Sequence, residues 1–175
     1  AQAQDRSVFA TPAKPELSHI ATVSDDGRYV VITSSSGTDD RYEVTLVDAR
    51  RPGAKPRVLI PGFEHNYSYI GNRGSTFYFV TNEGAPKLKV VALDIAQAKP
   101  QPRVVIAEDQ ATLNGASLVG GKLIASYLVH AKTEVRVHSL AGAREKVIEL
   151  PGIGTASGFG GEFERNAFLF NGYAS

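Results

Sequence analysis

Ser24-Asp25-Asp26-Gly27-Arg28-Tyr29-Val30 reads as a tight turn running into a strand, and its recurrence decides the fold. Residues 20–23 and 29–33 are β-rich runs on either side of it. Asp-Gly between apolar runs marks a hairpin, because Gly takes positive φ without a Cβ clash. Working outward, residues 35–40 form a polar loop and residues 42–47 alternate with period two up to Asp48. Arg51-Pro52-Gly53-Ala54 then turns, and residues 57–60 are a short strand closed by Pro61-Gly62. That makes four strands joined in sequence order.

The set repeats. The second copy has strands at 67–70, 76–81, 88–93 and 103–106, with its first turn at Gly71-Asn72-Arg73-Gly74. The third has strands at 116–119, 123–128, 134–138 and 146–150, with a loop at 129–132. A fourth copy starts with strands at 155–159 and 167–173 around a turn at Glu164-Arg165-Asn166. Gly27, Gly74 and Gly121 fall at a constant interval of 47 residues, while Asp48 and Asp94 are 46 apart. A period near 45 with four strands per repeat is the signature of a β-propeller. A β-sandwich of similar strand count is the alternative, and the regular turn placement favours the propeller. Val30-Val31-Ile32 and Phe77-Tyr78-Phe79-Val80 are apolar on both faces, as a sheet covered on both sides requires.

The expected fold is therefore all-β: about three and a half four-stranded antiparallel blades of one propeller domain. Residues 1–17 supply the last strand of a preceding blade (7–10) and a Pro-rich linker. Residues 18–62, 63–107 and 108–151 are blades, and 152–175 are the first half of a further one. The absence of Met in 175 residues suggests a processed chain or an internal fragment.

A net charge of +1 with scattered basic residues argues against a nucleic-acid or anionic-membrane partner. No apolar run approaches the roughly 18 residues that span a bilayer. The lack of cysteine excludes disulfides and thiolate metal sites. It fits a cytoplasmic setting and leaves a periplasmic one open.

No catalytic constellation is expected in these residues. A Ser-His-Asp triad places its nucleophile on a constrained turn such as Gly-x-Ser-x-Gly before a helix. Gly154-Thr155-Ala156-Ser157-Gly158 misses that spacing. The four histidines, His19, His65, His130 and His138, find no partners at metal-ligand spacing. Asp25-Asp26 and Asp39-Asp40 read as turn caps rather than calcium ligands. The Gly-rich segment 152–161 lacks a phosphate-binding pattern and reads as a close blade-to-blade crossing. No metal or cofactor is expected. The hydroxyl-rich loop at Ser34, Ser35 and Thr38 faces either bulk water or a partner domain.

From Ser24-Asp25-Asp26-Gly27-Arg28-Tyr29-Val30 through Gly37-Thr38-Asp39-Asp40, the chain resembles the propeller of the prolyl oligopeptidase family of serine peptidases. The likeness continues at Thr81-Asn82-Glu83-Gly84-Ala85-Pro86, Leu93-Asp94-Ile95, Ser126-Tyr127-Leu128-Val129-His130 and Val137-His138-Ser139-Leu140. It implies part of a seven-bladed propeller whose partner is an α/β-hydrolase domain carrying the triad, absent from this chain. It also implies a gate that admits short proline-containing peptides and excludes folded proteins. By resemblance, Ser34, Ser35 and Thr38 lie near the catalytic cavity, with Ser18 and His19 beside them. A peptide-binding basic residue of some members falls near Ser35, and a reactive cysteine of others near Thr38; both are missing here. The alternative is a stand-alone propeller-type binding module that self-assembles to complete a ring. In either case the outer blade edges are expected to support self-association.

Overall fold

The computed structural model describes residues 9–148, 150, 155–157 and 172–174. The chain forms two compact units, Ala1–Glu64 and His65–Ser175. Unit one holds a single sheet, β1 (Leu17–Val23), β2 (Tyr29–Ser36), β3 (Tyr42–Asp48) and β4 (Arg57–Ile60), paired in that order. Unit two holds β5 (Tyr67–Arg73), β6 (Thr76–Thr81), β7 (Lys89–Asp94) and β8 (Arg103–Ile106), again in order. It continues with β9 (Thr112–Val119), β10 (Lys122–Val129), β11 (Lys132–His138) and β12 (Arg144–Ile148). A last antiparallel pair joins β13 (Thr155–Ser157) to β14 (Gly172–Ala174). Three four-stranded antiparallel meanders are the propeller blades expected from the repeat. Among the described residues no helix is long and apolar enough to cross a membrane.

The opening turn shows why its residue types recur. Ser24 is buried; its Oγ donates to Asp26 Oδ1 at 2.6 Å and accepts the Tyr29 N–H at 2.9 Å. Asp26 Oδ1 also accepts the Arg28 N–H at 3.0 Å, and Gly27, at φ 64°, donates to Ser24 O at 2.8 Å. The Ser24 hydroxyl foremost, then the Arg28 amide and the nearby arginines, hold the Asp26 carboxyl below its ordinary range against the contrary effect of burial. Asp48 and Asp94 act alike at the ends of β3 and β7, accepting the N–H two residues on from Arg50 (3.1 Å) and Ala96 (3.0 Å). One repeat is not visible in the sequence. The third strand of every four-stranded sheet shifts register against the fourth, at Val44/Thr45, Val90/Val91 and Val137/His138.

In unit two the sheets β5–β8 and β9–β12 share a core. Tyr78, Val80, Val90, Ala92, Val105 and Ile106 meet Leu113, Leu118, Leu123, Ala125 and Tyr127. On the opposite face of β6 and β7, Phe77, Phe79, Val91 and Leu93 are also buried. Both faces of this sheet are therefore dry, which explains its unbroken apolar strands.

Several expectations need correction. Gly71 is not in a turn: β5 runs on to Arg73, and Gly71 sits in a bulge at φ 143° against Leu118. The third repeat's first strand begins at Thr112, because Asn114-Gly115, which imitates a turn, lies within β9. The supposed loop 129–132 is a two-residue hairpin, with His130 (φ 47°) and Ala131 (φ 61°) both left-handed. Of the strand expected at 7–10, Phe9 and Ala10 are not in a strand, and the rest lies outside the described residues. The turn at 164–166 and most of the Gly-rich segment also lie outside them.

Candidate functional site

The start of β1 and the end of β2 bring four of the five candidate residues together. Ser18 pairs with Ser35, and His19 with Ser34, across the two strands. Thr38 follows in the β2–β3 loop. Strand alternation puts the two pairs on opposite faces of the sheet. Ser18, His19 and Thr38 are exposed, Ser35 is half-buried, and Ser34 is 1% exposed.

Ser34 Oγ lies 2.7 Å from His19 Nδ1, and the other ring nitrogen lies 2.8 Å from Thr11 Oγ1. Thr11 donates to Lys14 O at 3.4 Å, so it accepts from His19 Nε2–H, and Nδ1 accepts from Ser34. Phe9 meets the imidazole edge-on, with centroids 5.1 Å apart. A serine donating to a histidine has the outline of an activated nucleophile. Here it is a structural clasp. Ser34 is buried in a regular strand, and the histidine is oriented by a threonine hydroxyl, which stabilises no imidazolium as a carboxylate does. Thr11 and Phe9 carry no signal in the sequence that assigns them to this cluster.

The loop beyond is fixed by charge. Asp39 Oδ1 accepts the Arg41 N–H and Nε–H, both at 2.9 Å, and the Arg41 guanidinium closes a bidentate pair. Arg41, first by its side-chain hydrogen bonds and then by its amide, holds the Asp39 carboxyl down to about 2. Elsewhere in unit one a hollow of about 420 Å³ is walled by Val30, Val47, Pro52, Ala54 and Pro56, with Asp48 ion-paired to Arg51 at 3.5 Å. It has shape but no reactive group. Among the described residues, no three His, Asp or Glu side chains gather as a metal ion would need.

The whole chain, residues 1–175, matches the family model of the prolyl oligopeptidase N-terminal β-propeller domain. The chain belongs to the prolyl oligopeptidase family. It is 31% identical over 162 residues to the prolyl endopeptidase of Elizabethkingia miricola, covering 92% of this chain and 23% of that protein. A solved prolyl endopeptidase, from work on inter-domain dynamics in catalysis and specificity, superposes with a TM-score of 0.86 at 37% identity, over 91% of this chain and 24% of that one. Prolyl oligopeptidase B from Galerina marginata superposes with a TM-score of 0.88 at 25% identity, over 97% and 24%. The chain thus spans about a quarter of the length of these relatives.

In this prolyl oligopeptidase propeller, the corresponding edge of unit two carries a second polar cluster. Arg136 Nε donates to Glu134 Oε1 at 2.6 Å and Nη1 to Asp109 Oδ2 at 3.1 Å. Its guanidinium stacks over Tyr127, 4.1 Å from the ring centroid. Burial, which disfavours the cation, is outweighed by Glu134 and Asp109, so Arg136 is held more firmly protonated than usual. The Asp109 carboxyl lies below its ordinary range, chiefly through the Ala111 N–H, with Arg136 adding to it against a contrary effect of burial. In the same unit the Tyr67 hydroxyl donates to Glu83, and burial above all pushes its pKa up. The Glu134-x-Arg136 alternation was readable as two side chains on one strand face, but Asp109 lies 27 residues away and only the fold brings it in.

Proposed function

We propose that this propeller is the access filter of a serine peptidase that hydrolyses short proline-containing peptides, working with an α/β-hydrolase domain that lies outside this chain. The full-length match to the prolyl oligopeptidase propeller domain carries this reading. It is supported by the edge at Ser18, Ser35 and Thr38, where small hydroxyl side chains present a smooth polar wall. Ser34 and His19 act behind that wall, clasping β2 to β1 so that the loop keeps its place. The filter is steric: a folded protein must unfold to pass a narrow channel, which costs about 5–15 kcal/mol.

The test has two arms. The chain alone leaves a chromogenic proline-containing peptide uncut. In the protein that contains this chain, Ser35→Trp and Thr38→Trp lower kcat/KM more for long peptides than for a dipeptide-sized substrate. Robust cleavage by the chain alone, or equal effects on both substrate lengths, overturns the proposal.

A specific observation also favours self-association of the chain. Ile20 is 70% exposed and Val23 60% exposed on β1, a strand that among the described residues pairs on one side only. Sedimentation at tens of micromolar checks this: Ile20→Lys with Val23→Lys shifts an associated species to monomer, and a wild-type chain that is already monomeric refutes it.

A further inference from the structure

The net charge of +1 conceals a separation of charge within each sheet. Every meander has two edges. One carries the hairpin turns between its first and second strands and between its third and fourth; the other carries the remaining loop and the connection to the next sheet. In unit two the two sheets keep these edges on the same side. Gly71 at the turn end of β5 touches Leu118 at the turn end of β9, and Gly142 in the β11–β12 turn touches Val105 of β8.

The turn edge of β5–β8 carries Arg73, Lys99 and Arg103 against Asp94, and that of β9–β12 carries Lys122, Arg144 and Lys146 against Glu145. Arg73, Lys99, Arg103, Arg144 and Lys146 are exposed, while Lys122 is ion-paired to Glu145 at 2.7 Å. On the other edge of unit two the charges balance, with Lys87, Lys89, Lys132 and Arg136 among Glu83, Glu108, Asp109 and Glu134. Unit one repeats the pattern: its turn edge holds Arg28, Arg50, Arg51, Lys55 and Arg57 against three aspartates. Each of the three sheets thus has an excess of two cations at its turn edge. That edge is the one opposite the loop type that bears Ser35 and Thr38.

We propose that the turn edge of unit two is a docking surface for an acidic polypeptide segment, distinct from the peptide-filtering edge. The interspersed carboxylates and the modest excess per sheet suit an extended acidic chain, which places one negative charge every few ångströms and can pass between them. They suit a nucleic acid poorly, since its dense phosphates need a continuous basic face and gain from stacking platforms. Among the described residues no aromatic side chain is exposed on this edge. Complementary charge of this kind steers encounter and fixes orientation, and its strength falls as salt rises.

The experiment uses the chain and a fluorescein-labelled oligoglutamate peptide, read by anisotropy across a salt series. Binding is expected to weaken steadily with salt. Lys99→Glu, Arg103→Glu and Lys146→Glu together are expected to weaken it by at least about tenfold, as three exposed pairs converted to repulsions imply. Lys89→Glu with Lys132→Glu on the opposite edge is the control and is expected to leave it unchanged, with far-UV circular dichroism verifying the fold of each variant. Equal loss in both variants, no salt dependence, or tighter binding of an oligonucleotide or of phosphatidylserine vesicles overturns the proposal.

Discussion

Replacing Gly142 with Ala should damage the junction between the two large sheets of unit two far more than the same change at another turn glycine. Gly142 sits at φ 94°, a backbone conformation that costs an L-residue about 1–2 kcal/mol. A Cβ at this position would stand 1.8 Å from the Val105 carbonyl oxygen and 2.9 Å from its carbon. Both are backbone atoms, so no rotamer change relieves the clash; the turn or β8 must move by roughly 1 Å, and native packing resists such shifts. The turn is itself pinned. Gly142 N–H donates to Ser139 O at 2.9 Å, and Gly142 O accepts from His138 Nδ1 at 3.0 Å. Val105 belongs to the core that joins the sheets, so displacing it opens that packing as well.

Overpacking of this kind costs about 1–3 kcal/mol. The combined loss is then about 2–5 kcal/mol, a large part of a typical domain's stability. Gly121→Ala is the matched control: its φ is 69° and a methyl group there would meet nothing within 4 Å, so it should lose only the backbone contribution. Urea unfolding followed by tyrosine fluorescence suits a chain with seven Tyr and no Trp. If Gly142→Ala loses no more stability than Gly121→Ala, the close approach is not what holds the sheets in place.

Three further outcomes follow from polar contacts. Ser24→Ala removes the buried hydrogen bond from the Tyr29 N–H and should cost about 1–3 kcal/mol in the same unfolding assay, while NMR titration shows the Asp26 carboxyl rising toward its ordinary value. Arg41→Ala should raise the Asp39 carboxyl from about 2 toward 3.8. Because the folded value is depressed, the pair's contribution is present above about pH 4 and is lost as pH falls through about 2, which a pH series on wild type and variant will show. Arg136→Met should cost about 1–3 kcal/mol by removing the hydrogen bonds to Glu134 and the cation over Tyr127, water taking over the partly exposed carboxylates. Asp109 should nonetheless stay below its ordinary value by titration, since the Ala111 amide is the larger influence.

Turn chemistry made the meanders legible. Ser24, Asp26 and Gly27 each meet a requirement of one hairpin, and Asp48 and Asp94 cap equivalent strand ends, so spacing alone gave four strands per repeat. Where residue type and backbone disagreed, the reading slipped. Asn114-Gly115 advertises a turn yet lies in β9, where Asn114 is the extra residue of a bulge between Leu113 and Gly115, opposite Tyr127 and Ser126. His130-Ala131 advertises nothing and is left-handed at both positions, because strands β10 and β11 dictate a two-residue connection. Gly71 was legible as a glycine but not as a bulge, since its neighbour Leu118 lies 47 residues away.

The candidate site was legible only as far as local pairing reaches. Ser18 opposite Ser35 and His19 opposite Ser34 follow from the hairpin register, but the burial of Ser34 and its use as a clasp depend on Thr11 and Phe9 arriving from outside the sheet. The two edges of each meander differ in this respect. At the turn edge, glycines and aspartates recur at fixed intervals, because strand register tolerates little variation there. At the opposite edge the second-to-third-strand connection has five residues after Ser36, seven after Thr81 and two after Val129. Nothing in the ladders constrains that length, so each blade is free to present different side chains at the same height. Residues that recur therefore report architecture, whereas Thr38, in a β2–β3 loop whose length neither other four-stranded sheet shares, lies where selection can act without disturbing the sheet. A repeat protein hides its function in the positions that break its period, and a search for its site should begin there.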